Sequence, residues 1–133
     1  MIQTIHKIIE KLKDYPDINY EHTDNSVTII PKDENGFMVD LTAHSENAFT
    51  VSFDFWHEEF EKEEEALNCF SFGLTKTCRI KRTKRGPQPF IWTVQYLDQG
   101  IWKDDSTTGL FNFKFWKRKS VDYLQNDLIK SKI

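Results

Sequence analysis

The sequence predicts an α+β fold. It reads as a single domain, residues 1–133, with three helices packed on the apolar face of one curved antiparallel sheet. Three observations lead there. Short runs alternate apolar and polar residues with period two, the mark of strands with one buried face. Turn chemistry separates those runs, as at Asn35-Gly36, Gly86-Pro87-Gln88-Pro89 and Asp98-Gln99-Gly100. Apolar residues fall at helical spacing in three places: at the start, at the centre and towards the end of the chain. Strands joined by tight turns pair antiparallel, and helices set apart from them define the α+β class. The expected order is α-ββββ-α-ββββ-α, with about 7–8 strands in two meanders.

Ile2, Ile5, Ile8, Ile9 and Leu12 form the first helical stripe, which Asp14-Tyr15-Pro16 ends because proline excludes the α region from its predecessor. Ile18 to His22 is a weak strand, and Val27 to Ile30 a clearer one stopped by Pro31. Asn35-Gly36 is the strongest hairpin signal, since both residues tolerate positive φ. Phe37, Val39 and Leu41 then alternate with Met38, Asp40 and Thr42. After His44-Ser45-Glu46-Asn47 comes the stretch that organises the chain, Ala48 to Leu74. Phe49, Val51, Phe53 and Phe55 alternate with Thr50, Ser52, Asp54 and Trp56. Phe60, Ala66, Leu67, Phe70 and Leu74 follow on one side of a helix that folds back over that strand, with Gly73 at its stop.

Thr75 to Lys84 and Phe90 to Leu97 read as the next hairpin. A regular turn at Gly86 sets Cys78 opposite Tyr96, Ile80 opposite Val94 and Arg82 opposite Trp92. On the other face it sets Arg79 opposite Gln95 and Lys81 opposite Thr93. Apolar meets apolar and polar meets polar, as a correct register requires. In that register Arg82 lies over Trp92 as a cation–π pair. Ile101 to Lys103, a polar loop from Asp104 to Gly109, and a strand carrying Phe111, Phe113 and Phe115 complete the second meander. Ser120 then caps a last helix striped by Val121, Leu124 and Leu128.

Composition narrows the class. Eleven Phe, four Trp and an aromatic content of 14% indicate a packed core rather than disorder. A chain of this length buries roughly two thirds of its unfolded surface, so it needs neither a metal nor a disulfide to fold. The net charge of -3 gives no strong overall attraction to nucleic acid. Cys69 and Cys78 match no zinc or redox spacing and read as reduced thiols of a cytoplasmic protein. No apolar run has the length of a membrane span, and residues 1–12 are too charged for a signal peptide. No cofactor is expected.

Four groups of residues bear on function. Lys76, Arg79, Lys81, Arg82, Lys84 and Arg85 cluster on one strand, and Lys114, Lys117, Arg118 and Lys119 surround Trp116. Basic residues with interleaved aromatics suit single-stranded nucleic acid. The same residues also suit a solvated strand guarded against aggregation. His57-Glu58-Glu59-Phe60-Glu61 is half of a zinc-protease helix, with Glu61 where the second histidine belongs. An acidic helix N-terminus explains it more simply. Glu63, aligned with Phe60, Leu67 and Phe70, becomes chemically special only if buried beside a cation or histidine. Serines, cysteines and histidines form no nucleophile motif, and there is no phosphate-binding glycine loop. Trp92 belongs to the core face, with Trp102 joining it, while Trp56 and Trp116 come out on the opposite face, either as interface anchors or packed under a helix or loop.

These features point to a non-enzymatic binding module that engages a protein partner, or a second copy, through the outer sheet face. The expected contact residues are Trp56, Trp116, Arg79, Lys81, Lys114 and Gln95. The alternatives are single-stranded nucleic-acid binding by the basic hairpin 76–95 and a small-molecule pocket between the sheet and the central helix.

Overall fold

The isoleucine stripe folds as α1 (Gln3–Leu12), burying Ile5, Ile8 and Leu12. The computed structural model describes residues 2–110 and 116–130. After α1, five strands run as an antiparallel meander in sequence order: β1 (Asn19–His22), β2 (Ser26–Ile30), β3 (Val39–Ser45), β4 (Ala48–Phe53) and β5 (Trp56–Phe60). Helix α2 (Glu63–Leu74) follows. A second antiparallel sheet is built from β6 (Cys78–Arg85), β7 (Gln88–Asp98), β8 (Ile101–Gly109) and β9 (Lys119–Leu124), in the order β8-β7-β6-β9. The class is α+β, but among the described residues the expected single sheet is two sheets and the expected three helices are two.

The organising stretch departs from a simple strand at Asp54. Phe49, Val51 and Phe53 face the core as the alternation requires, each at most 1% exposed. Asp54 then takes a left-handed backbone, φ 52, and a two-residue hairpin reverses the chain. The reversal throws Phe55 outward, at 64% exposed, and turns Trp56 inward, at 2%. The segment read as the start of a helix is therefore β5. His57, Glu59 and Glu61 lie on or beside an edge strand, and the half zinc motif has no helical face to share.

Asn35-Gly36 does not close a hairpin. Ile29 pairs with Val39, so residues 31–38 form one connecting loop, in which the Asn35 amide donates to Asp33 Oδ1 at 2.9 Å. Gly36 is required by space: a Cβ there would lie 2.5 Å from Asn126 Oδ1. The second hairpin has the expected register from Cys78–Tyr96 to Thr83–Ile91, with a bulge after Thr83. At the other end of β7, Gln99 and Gly100 both have positive φ and make the tight turn into β8, which runs on through the segment expected as a polar loop.

The third expected helix is β9 followed by an irregular segment. Val121 and Tyr123 point to solvent while Leu124 is buried, which is period two. The spacing of 121, 124 and 128 matches a helix only by coincidence, and β9 instead pairs with β6 from Ile80–Leu124 to Arg85–Lys119. The Phe111, Phe113 and Phe115 strand lies outside the described residues.

Both helices pack on the apolar face of the five-stranded sheet. Val27, Ile29, Val39, Leu41, Val51 and Phe53 are fully buried there, along with Ala66, Phe70 and Leu74 of α2. Gly73 lets α2 approach so closely that a Cβ would sit 2.4 Å from the Phe53 ring. These side chains pack the interior between the five-stranded sheet and α2. The end of α2 is closed by distant chain. Asn126 Nδ2 donates to Gly73 O at 3.0 Å, and the Leu128 and Ile129 amides donate to Leu74 O at 2.8 and 3.3 Å.

Strand β9 is tied to β6 by charge as well as by backbone. Arg82 Nε and Nη2 donate to the two oxygens of Asp122 at 2.9 and 2.7 Å, and Lys84 Nζ lies 3.3 Å from the same carboxylate. Hydrogen bonding from Arg82 holds the Asp122 carboxyl below its ordinary value. The folded state thus favours the ionised form, and the stabilisation is present above the unfolded pKa and lost as pH falls through the lower folded one. The pair is partly exposed, so Asp122→Asn is expected to cost less than about 1 kcal/mol at neutral pH. In chemical denaturation the gap between wild type and variant should close as pH drops below about 4. A gap that widens in acid would contradict the assignment.

Candidate binding face

The outward side of the four-stranded sheet carries Val121 and Tyr123 from β9, Arg79 and Lys81 from β6, Thr93, Gln95 and Leu97 from β7, and Trp102 and Asp104 from β8. Alternation puts them there: their neighbours Cys78, Ile80, Trp92, Val94 and Leu124 are buried on the inner side.

Arg79 is the centre of this face. Its guanidinium carbon lies 4.3 Å from the Trp102 ring centroid and 4.1 Å from that of Tyr123. Two rings from two different strands therefore clasp one planar cation, an arrangement favoured by the ring quadrupoles. Arg79 Nε donates to Gln95 Oε1 at 2.7 Å, and Gln95 Nε2 donates to Asp104 Oδ1 at 2.7 Å. Asp104 thereby orients the Gln95 amide with its oxygen towards the arginine. Among the described residues the Nη groups of Arg79 make no hydrogen bond or ion pair. Around the clasp, Leu97 is 39%, Val121 45% and Tyr123 49% exposed.

The expected contact residues are divided by the structure. Arg79, Lys81 and Gln95 share this face, and the pairing of Arg79 with Gln95 follows the expected register. Trp56 does not belong to it. It is buried, stacked on Phe53 with ring centroids 4.7 Å apart, and its Nε1 donates to Ser106 Oγ at 2.9 Å on the inner side of β8. Trp116 is exposed, in a turn next to Lys117, whose side chain lies against Gly86. Seven residues of strand separate Gly86 from Arg79, so Trp116 sits about 20 Å from the clasp along β6. Lys114 lies outside the described residues.

Trp102, expected in the core beside Trp92, is on the outer face, and Tyr123, expected on a helix, stands beside it. Their contribution was hidden because both rings reach Arg79 from strands that flank the hairpin. The expected Arg82–Trp92 contact is replaced by the Arg82–Asp122 pair. Trp92 instead meets Phe55, with centroids 4.8 Å apart. The basic residues of β6 are thus shared between faces: Arg79 and Lys81 lie outward, while Arg82 and Lys84 are engaged by Asp122.

Burial pushes the Cys69 thiol up to about 12 and raises that of Cys78 as well, which leaves both protonated at neutral pH. Glu63 reaches Lys7 Nζ at 2.6 Å across the α1–α2 groove and is half-exposed. Among the described residues no group of three or more His, Cys, Asp or Glu side chains is placed to hold a metal ion, and no helix is long and apolar enough to cross a membrane. No protein-family model, curated protein or solved structure matches the chain.

Proposed function

We propose that this domain is a non-enzymatic binding module that engages a protein partner, or a second copy of itself, through the outward face of the four-stranded sheet. The clasp around Arg79 carries the reading. A guanidinium already fixed by two aromatic rings and a glutamine loses little freedom on docking, and arginine and tyrosine are enriched among the residues that dominate interfaces. Leu97, Val121 and Tyr123 supply apolar surface beside it. Asp104 shares the face with Arg79 and Lys81 and is joined to Arg79 through Gln95, so the face is of mixed charge, which suits a protein better than a polyanion.

Arg79→Ala and Tyr123→Ser are the informative variants. Each should keep the wild-type thermal melt within a few degrees and weaken association roughly 30-fold. Sedimentation over a range of concentrations reads a second copy. Capture followed by reconstitution with the purified binder reads a different protein. Unchanged association in both variants would remove the proposal. Tight, strongly salt-dependent binding of short single strands, lost in Arg79→Ala, would replace it with the nucleic-acid reading.

A further inference from the structure

On the opposite side of the four-stranded sheet, its inner surface meets the solvent face of the five-stranded sheet and encloses a cleft of about 340 Å³. That volume falls at the lower end of small-molecule sites. One wall is a row across three paired strands: Thr28, Asp40 and Ser52 stand side by side in register. The other wall is Trp92 with Arg82. The hairpin tip at Asp54-Phe55 closes one end, where the exposed Phe55 ring lies on Trp92.

The charges in this cleft do not balance. Among the described residues Asp40 receives hydrogen bonds from the hydroxyls of Thr28 and Thr42, both neutral donors. Asp54 Oδ1 accepts the Met38 amide at 2.9 Å, again a neutral donor. Neither carboxylate has an ion pair among the described residues. Arg82, the cation that lines the cleft, is bound through two nitrogens to Asp122, a carboxylate it shares with Lys84, and its charge acts on Asp54 as well. The walls thus offer Asp40, with no cationic partner among the described residues, Asp54, offset in part by Arg82, and the exposed ring of Phe55, which lies over the buried Trp92, a combination that attracts a cation.

We propose that this cleft is a ligand site for a small organic cation with a flat apolar body, its charge held by Asp40 and Asp54 and its body placed against Phe55, whose ring lies on Trp92. The site is independent of the binding face, which lies on the other side of β6 and β7. Burial raises the Asp54 carboxyl above its ordinary value, which indicates a position where an arriving positive charge would be welcome.

Benzamidine is the probe, and benzamide, its uncharged analogue, is the control. The indole N–H signal of Trp92, assigned with Trp92→Phe, reports occupancy by NMR. Benzamidine should shift it saturably. Benzamide should bind at least about tenfold more weakly, the factor expected for one charge-assisted hydrogen bond. Asp54→Asn keeps an acceptor for the Met38 amide and a side chain that tolerates positive φ, so the fold should persist while benzamidine affinity falls by a similar factor. If that variant loses its dispersed spectrum, Asp40→Asn reads the same loss. The proposal is overturned by absence of a saturable shift, by equal binding of the two probes, or by undiminished affinity in the folded carboxylate variants.

Discussion

Trp56→Ala is expected to destabilise the domain by about 3–5 kcal/mol, the range for removing a fully buried large aromatic. The loss has three parts. The indole stacks on Phe53, and its removal leaves a void beside a ring that already touches α2 at Gly73. Its N–H donates to Ser106, so truncation also leaves that hydroxyl without its donor. It further joins the two sheets, since β5 and β8 are in different hydrogen-bonded layers and share no backbone ladder. Denaturant unfolding measures the total. Trp56→Phe separates the parts: it keeps most of the apolar body and should cost only about 1–2 kcal/mol. A Trp56→Ala protein as stable as wild type would mean that this side chain lies on the surface after all.

The second large effect is expected at Asn126, which sits 3% exposed in the segment after β9. Its Oδ1 accepts the Phe37 amide at 3.2 Å, and its Nδ2 donates to the carbonyls of Phe37 and Gly73, each at 3.0 Å. Alanine would leave three buried backbone groups with no partner, including one at the C-terminal end of α2. We expect a loss of about 2–4 kcal/mol, several times that of an exposed polar substitution. Asn126→Asp is the sharper comparison. It retains the acceptor for Phe37 but loses both donors and buries a charge, so it should be at least as harmful as alanine at neutral pH and less so in acid. Thermal melts of the variants at two pH values would check the order. A variant protein melting with wild type would show that water replaces the amide at no cost.

Much of the fold was legible because local chemistry agreed with tertiary need. The α1 stripe, the core side of β4 and the β6–β7 register all follow from residues whose period matches the face they bury. The errors have physical causes of equal clarity. Asp54 reverses the strand with a single positive φ, and an aspartate between two aromatics was the available signal for a turn there. Val121 and Leu124 fit a helical stripe in one dimension, although β9 is a strand in three. Asn35-Gly36 carries hairpin chemistry, yet its glycine answers to the crowding of Asn126 from the far end of the chain. The Arg79 clasp was half visible. Its Gln95 partner follows from register, but Trp102 and Tyr123 arrive on neighbouring strands whose order on the sheet no local pattern encodes.

The closure of α2 by residues 126–129 also governs the timing of assembly. Asn126 reaches Phe37 across 89 positions of chain, while each hairpin needs only its own neighbours. Hairpins can therefore form early, whereas the last helical turn and the 31–38 loop stay wet until that distant contact arrives. During synthesis the nascent domain would remain open on one side, a substrate for chaperones and proteases, until that late asparagine has left the ribosome.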